Sequence, residues 1–408
     1  MKVLVFTTLY PNSVWPNHGI FIKERISRLV GLDGCEVKVI APVPYFPAVK
    51  FNWRWKYSQV ARREWSDGIE VFHPRYFITP KIGMALYGWM MFVSVLAAVK
   101  KVRKNFDFDL IDAHFVYPDG FAAIQLGRIF KKPVVVSARG SDVNLYKTLA
   151  GIPKLLQYVL SKADRVIAVS QALKRAIVDL GIAEGKIFLI PNGVDLEKFY
   201  PIPKERARQQ LGLSNGRMIL SVGNLTPNKG FDLLIRSFAI VIDQLDEPEL
   251  QLTIIGEGAF RSKLEKLIVT LNLHGRARLV GALPHNQLRL WYSAADLFCL
   301  FSQREGWPNV ILESLACGTP VVATPAGGIP EILNSETLGS LMERDERKIA
   351  NAMVVALGKK WISEELIAHA RNHSWNRAAA DVLGVFQSAL DSRKLPAAFA
   401  TATQSDAI

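Results

Sequence analysis

Residues 297–325 read LFCLFSQREGWPNVILESLACGTPVVATP. The run 297–302 is uncharged and apolar, 309–317 places its apolar residues at helical spacing, and 320–325 is again β-branched. Gly306 and Pro308 between the first run and the helix have loop chemistry. Strand, loop, helix and strand in this order make one βαβ unit, and such units build parallel sheets. The pattern extends toward the N-terminus through MILSVGN (218–224), LQLTIIGEG (250–258) and ARLVGAL (277–283), with helices expected near 231–245, 260–272 and 285–294. It occurs again in the first half, where KVLVFTTL (2–9), EVKVIAPV (36–43), DLIDAHF (109–115), PVVVSA (133–138) and RVIAVS (165–170) are strand candidates. Helical stretches fall at about 20–30, 82–103, 119–130 and 171–180. Runs as continuously apolar as PVVVSA imply helices on both sheet faces. The fold class is therefore α/β, with two Rossmann-like domains expected to face each other across a cleft.

A chain of 408 residues with 50% hydrophobic content is long enough for two such cores. IPNGVDLEKFYPIP (190–203) has linker composition, which divides the chain into domains at 1–192 and 193–375. A helix over about 376–392 is expected to return to the first domain. The segment 393–408, ending AAFATATQSDAI, has the composition of a disordered tail. Cys35, Cys299 and Cys317 are far apart, which excludes a disulfide framework and a cysteine zinc site and suits a reducing compartment. MKVLVFTTLYP reads as a first strand, since its apolar run is too short for a signal peptide. A cytoplasmic protein is the expectation.

The net charge of +13 is confined to one half. Residues 1–192 hold 27 Lys+Arg against 14 Asp+Glu, whereas 193–408 hold 23 of each. Between Lys50 and Lys104 the cations interleave with Trp53, Trp55, Trp65, Phe77 and Trp89. An anionic bilayer surface suits that mixture, at about 1 kcal/mol per cation near the lipid. A solvated basic face is the plain alternative, and nucleic acid is the least favoured partner. Residues 82–99 carry no charge and only just reach spanning length. Two glycines, Ser94 and the α/β chain on either side favour a core-facing or interfacial helix.

Ligands of parallel sheets bind beyond the carboxyl ends of the strands, where helix N-termini offer N–H groups. After 297–302 comes Glu305-Gly306-Trp307-Pro308-Asn309-Val310-Ile311-Leu312-Glu313, two carboxylates eight residues apart. A helix starting near Asn309 puts Glu305 in the loop and Glu313 about one turn in. Backbone N–H groups from Trp307 to Val310 then suit an anion, and the carboxylates accept hydrogen bonds from sugar hydroxyls. Asp107-Phe108-Asp109 precedes a strand, so it leads into β structure rather than holding a metal. No His/Cys/Asp cluster has metal-ligand spacing, no P-loop is present, and Gly256-Glu257-Gly258 lacks the rest of a dinucleotide fingerprint. Neither a metal nor a nicotinamide cofactor is expected.

Four segments in order, SVGNLTPNKGFDLLI (221–235), LTIIGEG (252–258), LVGALPHNQL (279–288) and residues 295–333, together with IPNGVDLEKF (190–199) before them, resemble the retaining GT-B glycosyltransferases of family 4. LYPNSVWPNHGIFIKERISRL (9–29), DLIDAHFVYPDG (109–120) and VVVSARGSD (134–142) are similar to its bacterial exopolysaccharide and teichuronic-acid branch. The resemblance implies that Glu305 holds hydroxyls of the donor sugar, Glu313 the nucleotide ribose, and Lys229 the leaving pyrophosphate, helped by the backbone of Gly306 to Val310. Gly19 matches a glycine that lets the chain approach the donor phosphates, and His114 a residue reaching the donor sugar. Arg139 and Asp142 would line the acceptor side. His114 at a strand end also reads as a core histidine, Asp142 as a helix cap, and His18 as structural. Asn224 departs from the family, which often has Arg there; Arg304 is the candidate to replace that cation.

The implied reaction moves a sugar from a nucleotide-diphosphate donor to a hydroxyl of a glycan or lipid-linked glycan, with retention of configuration and no metal. With no carboxylate placed as a covalent nucleophile, a same-face substitution is the expected mechanism, the domains closing to exclude water. The acceptor domain would meet the inner face of the cytoplasmic membrane. A nucleotide-sugar epimerase or hydrolase on the same fold, and a catalytically silent docking partner, are the rival readings.

Overall fold

The apolar runs of the first half become the centre of an eight-stranded sheet. The structure, a computed structural model, describes all residues except 51–52, 79–82, 147–148, 150, 215 and 395–408. Ile82, the first residue of the expected apolar helix, and the tail from 395 onward lie outside the described residues. The first-half strands are β1 (Lys2–Phe6), β2 (Glu36–Ile40), β3 (Val43–Pro44), β4 (Arg63–Ser66), β5 (Ile69–Phe72), β6 (Arg75–Tyr76), β7 (Leu110–His114), β8 (Val134–Ala138), β9 (Arg165–Ala168) and β10 (Ile187–Leu189). The sheet order is β10-β9-β8-β7-β1-β2-β5-β4, with β3 and β6 forming a separate two-stranded ladder. Every pair is parallel except β4–β5. That hairpin turns at Asp67-Gly68, whose φ values of 50° and 77° are both left-handed, as a type I′ turn requires. All five residues of β7 and of β8 are buried, as strands covered on both faces must be.

The second half adds β11 (Met218–Val222), β12 (Gln251–Ile255), β13 (Ala277–Gly281), β14 (Leu297–Leu300), β15 (Val321–Ala323) and β16 (Gly339–Leu341). They are all parallel, in the order β13-β12-β11-β14-β15-β16. In chain order this is 3-2-1-4-5-6, the doubly wound Rossmann arrangement. Its core packs the Phe231–Gln244 helix, through Leu234, Ile235 and Phe238, against Leu252, Ile254 and Met353.

The chain forms two compact units. Unit 1 comprises Met1–Val169, Leu173–Ile190 and the chain from Ala378 on; unit 2 comprises Ser170–Ala172 and Pro191–Arg377. The Trp375–Lys394 helix therefore begins in unit 2 and continues in unit 1. There Arg165 donates to the Ser388 hydroxyl at 3.0 Å, and Arg393 to Asp164 at 2.8 Å. The apolar helix begins with a turn at Met84–Leu86 and runs over Tyr87–Asn105, one side of it buried.

Candidate active site

In unit 2 the winding reverses between β11 and β14, and the crevice beyond their carboxyl ends is the ligand position of such sheets. The loop after β11 ends in the turn Pro227–Lys229, and the loop after β14 leads to the Asn309–Ala316 helix. Three contacts tie the loops together. The Gln303 N–H donates to the Asn228 carbonyl at 2.8 Å, and Asn228 Nδ2 to the Arg304 carbonyl at 2.9 Å. Lys229 Nζ donates to Glu305 Oε1 at 2.6 Å. Both side chains are largely withdrawn from water, so the pair is weakly screened. Nζ has three donors, and one goes to Glu305. The remaining two suit an oxyanion, while Oε2 can accept from a hydroxyl.

A third loop, following β15, closes against Glu305. Gly327 has φ +57°, and a Cβ there would lie 1.9 Å from the Glu305 carbonyl oxygen. The Gly328 N–H donates to the Gly306 carbonyl at 3.2 Å. Pro308 is extended and precedes the helix, so Asn309 and Val310 open its first turn with their N–H groups pointing out of the helix. Trp307 turns inward, its indole 5.8 Å from the His373 ring, so its backbone faces the loop rather than its ring. Asn309 Oδ1 accepts from Asn192 at 3.1 Å. Arg304 and Asn224 are exposed.

Glu313 is buried inside that helix's first turns. His285 Nε2 lies 2.8 Å from its Oε1, and the Tyr292 hydroxyl donates to its Oε2 at 2.9 Å. An ionised carboxylate only accepts, so His285 carries its proton on Nε2. Burial first, and then the carboxylate itself, push the Tyr292 phenol far above its usual value, so it remains a donor. Each carboxylate oxygen can accept one further hydrogen bond. Sequence reasoning missed both partners. His285 follows β13 in the loop before the Leu288–Ala294 helix, a strand-end position that could have singled it out. Tyr292 gives no such signal, being one aromatic in an apolar helix face.

In unit 1 the winding reverses between β1 and β7. The loops after these strands meet where the Thr8 N–H donates to Asp119 Oδ2 at 2.6 Å and the Thr8 hydroxyl to the same oxygen at 2.9 Å. Burial, the leading cause, pushes Asp119 up to about 7. Asp119 too went unremarked in the sequence, although it follows a strand end. His114, Arg25 and Asp112 form a buried network. Arg25 donates to Asp112 at 2.9 Å and to Ser137 at 3.2 Å, His114 Nε2 lies 2.9 Å from Asp112, and Arg139 lies 2.5 Å from His114 Nδ1. Burial, against the pull of Asp112, pushes His114 down to about 3, so the neutral ring donates from Nε2 and accepts at Nδ1. Burial opposes ionisation of Asp112, but the imidazole and Arg25 hold it well below the usual carboxylate range.

His114, expected to reach a donor sugar, is thus fully enclosed with both ring nitrogens engaged. Asp142, expected on the acceptor side or as a cap, is also fully buried. It accepts from the N–H groups of Val116, Arg139 and Gly140 at 2.8 to 3.0 Å, tying the loops after β7 and β8 together. Arg139 retains a little exposure, its guanidinium over the Phe21 ring. Gly19, with φ +66°, precedes the Ile20–Leu29 helix, and a Cβ there would strike the Leu9 carbonyl oxygen at 2.4 Å. Its glycine is therefore required by the chain's own backbone. Among the described residues no group of three or more His, Cys, Asp or Glu side chains is placed to hold a metal ion.

Two family descriptions divide the chain between them. Glycosyltransferase Family 4 matches residues 22–198, and Glycosyl transferases group 1 matches 203–373. Over 367 residues the chain is 30% identical to TuaC of Bacillus subtilis, a glycosyltransferase provisionally assigned to teichuronic acid biosynthesis, covering 86% of this chain and 88% of that protein. The chain belongs to the group 1 and family 4 glycosyltransferases. Solved structures agree on the GT-B fold, two Rossmann-like domains. Sucrose-phosphate synthase of Thermosynechococcus elongatus superposes with a TM-score of 0.79 at 20% identity, covering 96% of this chain and 99% of that one. Anabaena Alr3699/HepE, in complex with UDP and glucose, gives 0.74 at 21% identity over 95% and 100%. For this glycosyltransferase the unit-2 switch point, with Lys229 and Glu305, coincides with the strongest motif of the sequence.

Proposed function

We propose that this glycosyltransferase moves a hexosyl group from a nucleoside-diphosphate sugar to a hydroxyl of a glycan or lipid-linked glycan, retaining the anomeric configuration. The observation that carries the reading is the Lys229–Glu305 pair at the β11/β14 switch point. The anomeric C–O bond to the diphosphate breaks as the new bond to the acceptor oxygen forms on the same face. The departing phosphate oxygen takes the acceptor's proton. Lys229 and the N–H groups of Asn309 and Val310 stabilise the charge that develops on the leaving group, the largest usual contribution to catalysis. Glu305 accepts from sugar hydroxyls, and Glu313, held by His285 and Tyr292, grips the ribose. In this reading no protein-bound metal is needed, because Lys229 supplies the cation.

Unit 1 carries the basic excess and takes the acceptor, with Arg139 beside it. A membrane-borne acceptor in cell-surface polysaccharide synthesis accounts for that charge and places the protein, cytoplasmic and peripheral, on the inner face of the membrane, with no role for nucleic acid. The HepE complexes with UDP and glucose support a nucleotide-sugar donor. The test is a transfer reaction whose product linkage is read by NMR. Product with the donor's anomeric configuration, together with diphosphate release that depends on acceptor, supports the reading. Inverted product, or release at the same rate without acceptor, overturns it.

A further inference from the structure

The Tyr87–Asn105 helix has two unlike sides. Inward, Gly88, Met91, Val95 and Val99 are buried. A Cβ on Gly88 would lie 2.6 Å from the Phe121 ring, and the Gly88 N–H donates to the Tyr117 hydroxyl at 3.2 Å. That side is committed to unit 1. Outward, Leu86, Trp89 and Val93 are 53%, 48% and 66% exposed, and only 28% of the helix's most apolar 18 residues is buried. Their spacing of three and four makes a single stripe, which continues through Ala97 to Lys100, Lys101 and Lys104. At 1.5 Å per residue it is about 27 Å long.

The chain's direction orients this stripe. The helix runs back to the start of β7, so its apolar end lies at the carboxyl end of the unit-1 sheet. There the Tyr117 hydroxyl, in the loop after β7, donates to the Met84 carbonyl at 2.7 Å. Phe77 and Tyr45 follow β6 and β3 and are more than half exposed, and β6 packs against the same helix. From residue 71 to 106 there is no Asp or Glu, while six Lys and Arg occur. An apolar end, a lysine end and no acidic residue fit a surface that offers acyl chains and dispersed negative charge.

We infer that this stripe is where the protein rests on an anionic phospholipid bilayer, its apolar half inserted beside the acceptor end of unit 1. The inference rests on the proposed membrane-borne acceptor and assigns that contact to one helix. The test is co-sedimentation of the full chain with phosphatidylcholine vesicles, with and without phosphatidylglycerol. The expected result is binding that needs phosphatidylglycerol. The triple Lys100→Glu, Lys101→Glu, Lys104→Glu should lower partition by at least about a hundredfold, and the triple Leu86→Ser, Trp89→Ser, Val93→Ser roughly tenfold or more, each compared with the wild type below its own melting midpoint. In the wild type, vesicles should protect those three lysines from acetylation. Wild-type binding retained by both variants, with the lysines unprotected, overturns the helix assignment and leaves the membrane reading standing. No wild-type binding to either vesicle overturns both. Self-association abolished by the apolar triple, without lipid binding, would give the face to a second copy of the chain and overturn the inference.

Discussion

Lys229 donates to Glu305 and, in the proposed reading, keeps donors for an incoming oxyanion as well. Replacing it with Ala should leave kcat about a hundredfold to a thousandfold lower, the usual loss when a leaving-group stabiliser is removed. Retention of more than about a tenth of kcat would deny it that role. Tyr292→Phe removes one of the two donors to a buried carboxylate, which costs about 1–3 kcal/mol of stability. It should also weaken binding of a ribose diphosphate more than that of its deoxy analogue, and equal weakening of both would mean a packing role only. Asp119 offers a pH test. Its value rises from 3.8 in the unfolded chain to about 7 in the fold, so the native state holds a proton the unfolded state has lost. The associated stability is complete below about 4 and disappears as pH rises through about 7. Between pH 5 and 8 the wild-type melting temperature should fall relative to Asp119→Asn; parallel curves would contradict the assignment. The Glu305 and Lys229 positions were legible because each lies in a motif at a strand end. Arg25 was not, because a cation in an amphipathic helix reads as solvated. Only folding brings it to Asp112 and Ser137, 87 and 112 residues away.

At the scale of elements, strands with continuous apolar runs announced themselves: β1, β7, β8, β11, β12 and β14 all lie within stretches read as β. The short strands at one end of the unit-1 sheet did not. β4 and β5 hold Arg63, Glu64, Trp65 and Glu70, and the basic and aromatic composition of that region obscured the hairpin that Asp67-Gly68 marks. The Ile152–Lys162 helix also went unassigned, within a region read only for its strands. The loop after β15 carries its own prediction. Gly327→Ala would force the Glu305 carbonyl to move from a 1.9 Å approach, at a left-handed residue where side chains are strained. Turnover should fall at least about tenfold with a stability loss of about 1–3 kcal/mol. Unchanged turnover would show that the Glu305 loop tolerates displacement.

At the scale of the molecule, the two units divide chemistry from charge. Unit 2 has the 3-2-1-4-5-6 sheet and the carboxylate and lysine at its switch point, whereas the net charge of +13 resides in residues 1–192. In the proposed reading the division matches two kinds of ligand: a diphosphate needs a few fixed donors, and an anionic surface needs many dispersed cations. Composition made the uneven charge legible without any motif. The buried partners of Glu313 were not, because His285 and Tyr292 reach it only through packing between separate elements. The central claim is that unit 2 holds a nucleoside diphosphate between Lys229 and Glu313. The most direct test is the melting temperature with UDP, GDP, ADP, CDP and dTDP in turn, with and without Mg²⁺. A ligand at a hundred times its Kd adds about 2.7 kcal/mol. One diphosphate should raise the midpoint without metal, and Glu313→Ala and Lys229→Ala should each abolish the rise. No shift with any diphosphate, or an equal shift in both variants, would contradict the claim.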